Sequence, residues 1–263
     1  MTSSGSTTRD MREGTRMRIV PIASSSKGNA YLVEEGGEAV LVDCGVPCKA
    51  VRTALEALGL GLPALRGVLV THNHVDHFSG LKVLLNKLEV PVFANAMTAE
   101  AVAAEAKIDD SAFVCFENGQ EFELGPFAIS PFSIPHDATD PVGYLIRGSC
   151  TYFHGTDIGT PLDSIGVKLA EADVATLESN HDPMMLTASA RPVSLKQRIA
   201  GPRGHLSNDQ AAELVKRFAS PRLKRLFLAH LSHECNQPHL ALGTMRRALE
   251  EMGRTDVEVT VCE

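Results

Sequence analysis

Apolar positions come in short runs over the first quarter of the chain. Residues 17–23, 30–33 and 39–43 are apolar and β-branched, and the glycine-bearing turns Lys27-Gly28-Asn29 and Glu35-Gly36-Gly37 separate them. Runs of this kind bounded by glycine predict an antiparallel meander. The period then lengthens: residues 49–60 read as a helix, 67–70 as a buried strand, 81–88 as a helix and 91–94 as a strand. A second β-rich stretch spans 113–153, strongest at 121–124, 128–130, 143–146 and 151–153. Beyond it, helices over 209–218 and 240–252 alternate with strands at 175–177, 225–229 and 257–261. There is no internal repeat and no composition break after residue 17. The economical architecture is two β-sheets packed face to face with helices outside, in one α/β domain over residues 17–263.

Composition supports a real core, with 263 residues and 44% apolar content. Residues 1–16 are polar and rich in Ser, Thr and Gly, so they are expected to form a disordered tail rather than a secretory signal, with Met17 a possible alternative start. No run approaches the ~18 apolar residues that cross a bilayer. Six cysteines (Cys44, Cys48, Cys115, Cys150, Cys235, Cys262) lack a framework spacing, as expected of reduced thiols in a cytoplasm. The net charge of −7 argues against nucleic-acid binding over the whole surface. One stretch reverses it: between Arg191 and Arg225 nine basic residues face two acidic ones, a local net of +7. Solvated helix faces are the ordinary reading of such a run.

The segment Thr71-His72-Asn73-His74-Val75-Asp76-His77 carries the strongest chemical signal. His72 and His74 are two apart at the extended end of a strand, so both imidazoles project to one side. Asp76 and His77 follow where a helix begins. Three imidazoles and a carboxylate within six residues suit divalent cations on two neighbouring centres. At this chain's own His and Asp frequencies, such spacing arises by chance in on the order of one chain in a thousand. More ligands are needed, and His136, Asp157 and His230 stand at the ends of predicted strands. Alone, each is more ordinarily a hydrogen-bonded structural residue; the 72–77 motif reverses those odds. Asp43, ending another strand, is suited to orienting a ligand imidazole.

The order Asp43, His72-x-His74-x-Asp76-His77, His136, Asp157, His230 resembles the five motifs of the metallo-β-lactamase superfamily, over residues 17–263. That resemblance implies a four-layer αββα sandwich. Finer features look like its YycJ/WalJ-type branch: Ser24-Ser25-Ser26-Lys27-Gly28-Asn29-Ala30, Ser133-Ile134-Pro135-His136-Asp137, Leu177-Glu178-Ser179-Asn180-His181-Asp182, Gly204-His205-Leu206-Ser207-Asn208 and His230-Leu231-Ser232. That branch implies a bacterial nuclease acting on DNA ends, with kinship to tRNA 3′-processing endonucleases. Two features depart from the pattern. Lys27 stands where a small residue is expected, and the chain between Asp157 and His230 is too short for an extra nucleic-acid-clamping domain.

By matching motif, the resemblance implies His72, His74 and His136 on a first metal, Asp76, His77 and His230 on a second, and Asp157 between them, the ions being Zn²⁺ or Mn²⁺, with Fe²⁺ also accommodated. Asp76 thereby counts as catalytic. His205, oriented by Glu178, is the candidate for protonating the leaving oxygen, as a His–Glu pair is thought to do in the related tRNA-processing enzymes; bracing the following helix is the other use of His205. Ser24, Ser25, Ser26 and Asn29 form a polar turn suited to an anion or to a plain hairpin. His181 fits a substrate phosphate, a metal or, more ordinarily, a loop hydrogen bond, and Lys196 and Arg198 are the basic-stretch candidates for substrate. His154, His233 and His239 receive no chemistry, and Cys235 is expected to be a free buried thiol.

Three functions follow. The first is hydrolysis of nucleic-acid phosphodiesters by a cytoplasmic enzyme without membrane attachment, the family resemblance implying a DNA exonuclease directed to the 5′ end. The second keeps the fold but hydrolyses a small ester, thioester or lactam, as glyoxalase II-like members do; Glu178 and His205 are then surplus. The third is a non-enzymatic module with structural or redox metals.

Overall fold

The computed structural model describes residues 16–262; the tail expected over 1–16 lies outside them except for Arg16. Strand β2 (Gly28–Glu35) shows why the sequence makes a sandwich. Tyr31 and Val33 face one apolar cluster while Ala30 and Leu32 face another. Both faces of the strand are covered, so the period of two separates two cores rather than core from solvent.

The first sheet has the order β1 (Arg18–Ser25), β2, β3 (Glu38–Val42), β4 (Leu65–Leu69), β5 (Val92–Asn95), β6 (Phe113–Phe116). Its first three strands pair antiparallel and the rest parallel. The second sheet runs β7 (Phe122–Leu124), β8 (Phe127–Ser133), β9 (Val142–Arg147), β10 (Thr151–Gly155), β11 (Val174–Glu178), β12 (Arg225–Ala229), β13 (Glu258–Val261). It too is antiparallel through β10 and parallel beyond. Between the sheets lie Tyr31, Val40, Leu69 and Phe93 from one side and Phe127, Ile129, Tyr144 and Tyr152 from the other.

Helices close both outer faces. The first sheet packs Val51 and Leu55 of α1 (Cys48–Ala57), Leu81 and Leu84 of α3 (Leu81–Leu85), and Val102 of α4 (Ala96–Ala106). The short helix α2 (Val75–Phe78) precedes α3. The second sheet packs Ile165 and Leu169 of α5 (Asp163–Leu169), Leu214 and Val215 of α8 (Asn208–Phe218), and Met245 and Leu249 of α9 (Pro238–Glu251). The expected four-layer αββα sandwich, in a single α/β domain, is the observed one. Two short helices, α6 (Pro183–Ala188) and α7 (Val193–Ile199), stand apart on a small cluster of Leu186, Leu195, Ile199 and Cys235.

Element boundaries differ from the pattern in places. The helices expected over 49–60 and 81–88 end at Ala57 and Leu85. Helix α4 carries no apolar stripe to announce it; alanine propensity and the Asn95 side chain, which accepts from the Thr98 N–H at 2.9 Å, hold it instead. All six cysteines are free, and Cys235 is buried as expected. Among the described residues, no helix is long and apolar enough to cross a membrane.

Candidate metal centre

The site lies where the parallel strands of both sheets end, the usual place for ligands in sheets of this kind. Asp43 follows β3, His72 lies three residues past β4, Asp157 follows β10, Glu178 ends β11 and His230 follows β12. Asp43, Asp157 and His230 adopt left-handed backbone, with φ of 59°, 58° and 56°. Each chain thus turns sharply off its strand and aims its side chain across the sandwich edge. Non-glycine residues there cost roughly 1–3 kcal/mol each, and three at one site mark it as functional.

His72, His74 and His136 form one group whose ligand-type atoms all lie within 4.8 Å of one another. His136 Nδ1 donates to the Gly204 carbonyl at 2.9 Å, which leaves Nε2 inward. That atom lies 3.3 Å from His74 Nδ1, itself 3.1 Å from His72 Nε2. Asp76, His77 and His230 form a second such group. His77 Nδ1 donates to Asp43 Oδ2 at 2.7 Å, and the Thr71 N–H donates to Asp43 Oδ1 at 2.9 Å. Asp43 therefore holds both the His77 ring and the segment after β4 that leads to it. Asp157 stands between the groups, with Oδ1 3.7 Å from His136 Nε2 and Oδ2 3.3 Å from His77 Nε2.

Asp157 Oδ2 and His230 Nε2 are buried and have no hydrogen-bond partner. Leaving such atoms orphaned costs about 1–3 kcal/mol each, and both face the clusters just described. Mixed imidazole nitrogen and carboxylate oxygen is the donor set of borderline divalent cations, so the residues fit divalent metal ions.

Glu178 and His205 meet beside this centre. Glu178 is fully buried and accepts four hydrogen bonds: from His205 Nδ1 (2.8 Å) and His230 Nδ1 (3.1 Å) at Oε1, and from the Ile158 N–H (2.8 Å) and the Leu206 N–H (2.9 Å) at Oε2. Burial pushes its carboxyl up, but the His205 and His230 imidazoles outweigh that and hold it down at about 2. Burial likewise works against a charged His205, yet Glu178 beside it keeps the imidazole above its ordinary 6.5. His205 lines the cleft over the clusters, and with Nδ1 committed its Nε2 is the atom open to that cleft.

The cleft has a volume of about 200 Å³. Ser26 and Arg198 line it, as do Arg191, Asp137 and Leu195, to which the sequence assigned no role. Asp137 Oδ2 accepts from Arg198 Nε at 2.5 Å, and Glu234 accepts from Arg191 at 3.0 Å. Asp137 directly follows His136, a candidate ligand, a signal that could have found it.

Other expected substrate residues turn elsewhere. Ser24 is buried, and its hydroxyl accepts from Tyr31 Oη (2.6 Å) and from the His230 N–H (2.7 Å), so it braces His230 and does not face the cleft. Ser25 Oγ accepts from the Lys27 N–H within the hairpin turn. Asn29 is fully buried, and its amide donates to Asp76 Oδ2 at 3.1 Å. His181 is buried away from the cleft lining, and burial holds its imidazole below the ordinary value. Lys196 donates to the Thr187 carbonyl at 2.7 Å and does not line the cleft.

The +7 stretch is not one patch. Arg191 and Arg198 reach the cleft, whereas Arg222, Lys224 and Arg225 surround the start of β12, at the opposite end of the strands. Lys216 and Arg217, on α8 between them, are paired with Glu251 and Asp163.

Comparison with known proteins bears on the family and the fold. The family described as "Beta-lactamase superfamily domain" matches residues 38–231. The exodeoxyribonuclease WalJ of Streptococcus pneumoniae serotype 2 is 33% identical over 244 residues, 91% of this chain and 90% of that protein. The exodeoxyribonuclease YycJ of Bacillus anthracis is 33% identical over 234 residues, 88% and 89% of the two chains. Among solved structures, the metallo-beta-lactamase fold protein YhfI of Bacillus subtilis superposes with a TM-score of 0.69 at 21% identity, covering 94% of this chain and 96% of that one. Human tRNase Z, short form, does so with 0.62 at 19%, covering 93% and 96%; both show a shared fold. The chain belongs to the metallo-β-lactamase superfamily and is a metal-dependent hydrolase of its YycJ/WalJ type.

Proposed function

We propose that this hydrolase is a two-metal phosphodiesterase that degrades DNA from a 5′ end. The observation that carries the reading is the His205–Glu178 pair beside the metal clusters, a proton donor where a phosphodiester's leaving oxygen needs one. The 33% identity with two exodeoxyribonucleases over about nine-tenths of each chain supports DNA as substrate and attack at an end. A cytoplasmic setting goes with it.

His72, His74 and His136 would hold one cation and Asp76, His77 and His230 the other, with Asp157 between them. Zn²⁺, Mn²⁺ and Fe²⁺ all accept such a set. Bound there, the cations would supply Lewis acidity towards the phosphate and acidify a water. The chain supplies the rest. Asp43 and Asn29 fix His77 and Asp76 in orientation. Glu178 favours the protonated form of His205 and fixes its ring, so that Nε2 delivers a proton to the departing oxygen. Arg198, now held by Asp137, stands at the mouth to receive a flanking phosphate. A cleft of about 200 Å³ is smaller than a typical ligand pocket, so it admits the reacting end of a strand and little more.

Turnover of bis(p-nitrophenyl) phosphate against a glutathione thioester and a chromogenic lactam tests this. The diester is expected to react fastest. A faster thioester would move the assignment to the glyoxalase II-like reading.

A further inference from the structure

A strand whose end enters so small a cleft must be gripped elsewhere. A second groove opens beside the loop that carries Asp76 and His77, with a volume of about 560 Å³. Its floor is largely aliphatic, with Val46, Leu62 and Val83 contributing, and three cations, Lys49, Arg52 and Lys87, line it without any carboxylate among the lining residues. In a chain of net charge −7 that is a local reversal of sign. Val83 is 50% exposed, and Arg52 has only a loose 3.7 Å ion pair with Glu56.

The groove wall and the ligand loop are one rigid piece. Ser79 and Gly80, which line the groove, follow Asp76 by three and four residues. The Cys44 N–H donates to the His77 carbonyl at 2.7 Å, and the Gly80 N–H donates to the Cys44 carbonyl at 2.8 Å. A Cβ on Gly45 would fall 1.6 Å from the Asp76 carbonyl oxygen, and one on Gly80 would fall 1.8 Å from that of Val46. Backbone therefore touches backbone between groove and metal loop.

We propose that this groove is the track of a single nucleic-acid strand whose end lies in the metal cleft. The inference rests on the nuclease reading above. Phosphates lie against Lys49, Arg52 and Lys87, and unstacked bases lie on Leu62 and Val83. A positively charged groove that tracks the backbone is how single strands are held without sequence preference; aromatic rings commonly stack the bases, and here aliphatic side chains offer the apolar surface instead. A duplex keeps its bases inside and has no use for the floor.

The test is the salt dependence of binding of a fluorescein-labelled phosphorothioate dT15, resistant to hydrolysis, to the metal-loaded full chain. Each phosphate contact on a single strand contributes about −0.7 to the slope of log K against log salt. K49A/R52A is expected to flatten that slope by about 1.4, and K87A, on a separate element, by about 0.7. The affinity of K49A/R52A for dT15 is expected to fall about tenfold or more, with a much smaller change for dT3. R222A/K224A removes the same charge at the far edge and is expected to keep the wild-type slope. A wild-type slope in both K49A/R52A and K87A, or equal flattening in R222A/K224A, overturns the proposal. Active cleavage with unchanged slopes defeats the groove alone, whereas wild-type protein that neither binds dT15 nor cleaves diesters defeats the nuclease reading with it.

Discussion

His205 Nδ1 donates to Glu178 Oε1 at 2.8 Å, and the same oxygen receives His230 Nδ1 at 3.1 Å. One buried carboxylate therefore sets both the proposed proton donor and a proposed metal ligand. Because Glu178 beside it raises the His205 imidazole above its ordinary value, the protonated form persists to higher pH and is lost as pH rises through that raised value. We expect kcat to fall on the alkaline side accordingly. H205A is expected to lower kcat by about 10²–10⁴-fold and to abolish that limb, while metal content stays at the wild-type level. A kcat–pH profile of H205A that keeps the limb would remove His205 from the proton transfer.

Asp43 acts through His77. Loss of its charge in D43N leaves the 2.7 Å partner of Nδ1 weakened without emptying the space. Metal affinity is expected to drop about 10–100-fold, as it does when such supporting carboxylates are changed elsewhere. Titration calorimetry of metal into the chelator-treated protein reads this directly, and an unchanged affinity would make Asp43 a fold residue only.

Ser24 separates bracing from substrate binding. Its hydroxyl accepts from Tyr31 and from the His230 N–H, both buried. S24A should cost about 1–3 kcal/mol in urea unfolding, the penalty for stranding buried donors. A stability equal to wild type together with a raised KM would return Ser24 to the anion-binding role.

Arg198 is expected to behave in the opposite way. Its ion pair with Asp137 is largely exposed on the arginine side (63%), so R198A should change stability by less than about 1 kcal/mol. KM for a single-stranded oligonucleotide should rise about tenfold, which corresponds to about 1.4 kcal/mol of lost phosphate contact. A KM at the wild-type value would leave the Arg198–Asp137 pair as a surface contact and nothing more.

Much of the fold and most of the clustered metal-type residues were legible in the sequence because their signals are local or directional. Strand ends predicted from apolar runs are where His72, Asp157 and His230 stand, and His72-x-His74-x-Asp76-His77 carries its own spacing. What was not legible depends on which way a turn faces. Ser24 and Asn29 sit in a polar hairpin that looks built for an anion, yet their side chains turn inward to His230 and Asp76. The basic run failed for a topological reason: a strand separates Arg225 from His230, so charges close in sequence are carried to opposite edges of the sandwich. Helix α4 escaped notice because an alanine-rich segment has propensity without an apolar face. Arg191 reaches the cleft through tertiary packing of α6 and α7, which no periodicity encodes, whereas Asp137 follows His136 directly in sequence.

The most direct measurement is degradation of linear DNA labelled at the 5′ or the 3′ end, single- and double-stranded, by the purified protein with added Mn²⁺. A D76A/H77A protein serves as control, since both residues belong to the second cluster. The account predicts early release of 5′ label as short products, progressive shortening of the 3′-labelled strand, and neither in the control. Intact DNA with Mn²⁺ and Zn²⁺ alike, or equal degradation by D76A/H77A, would contradict it.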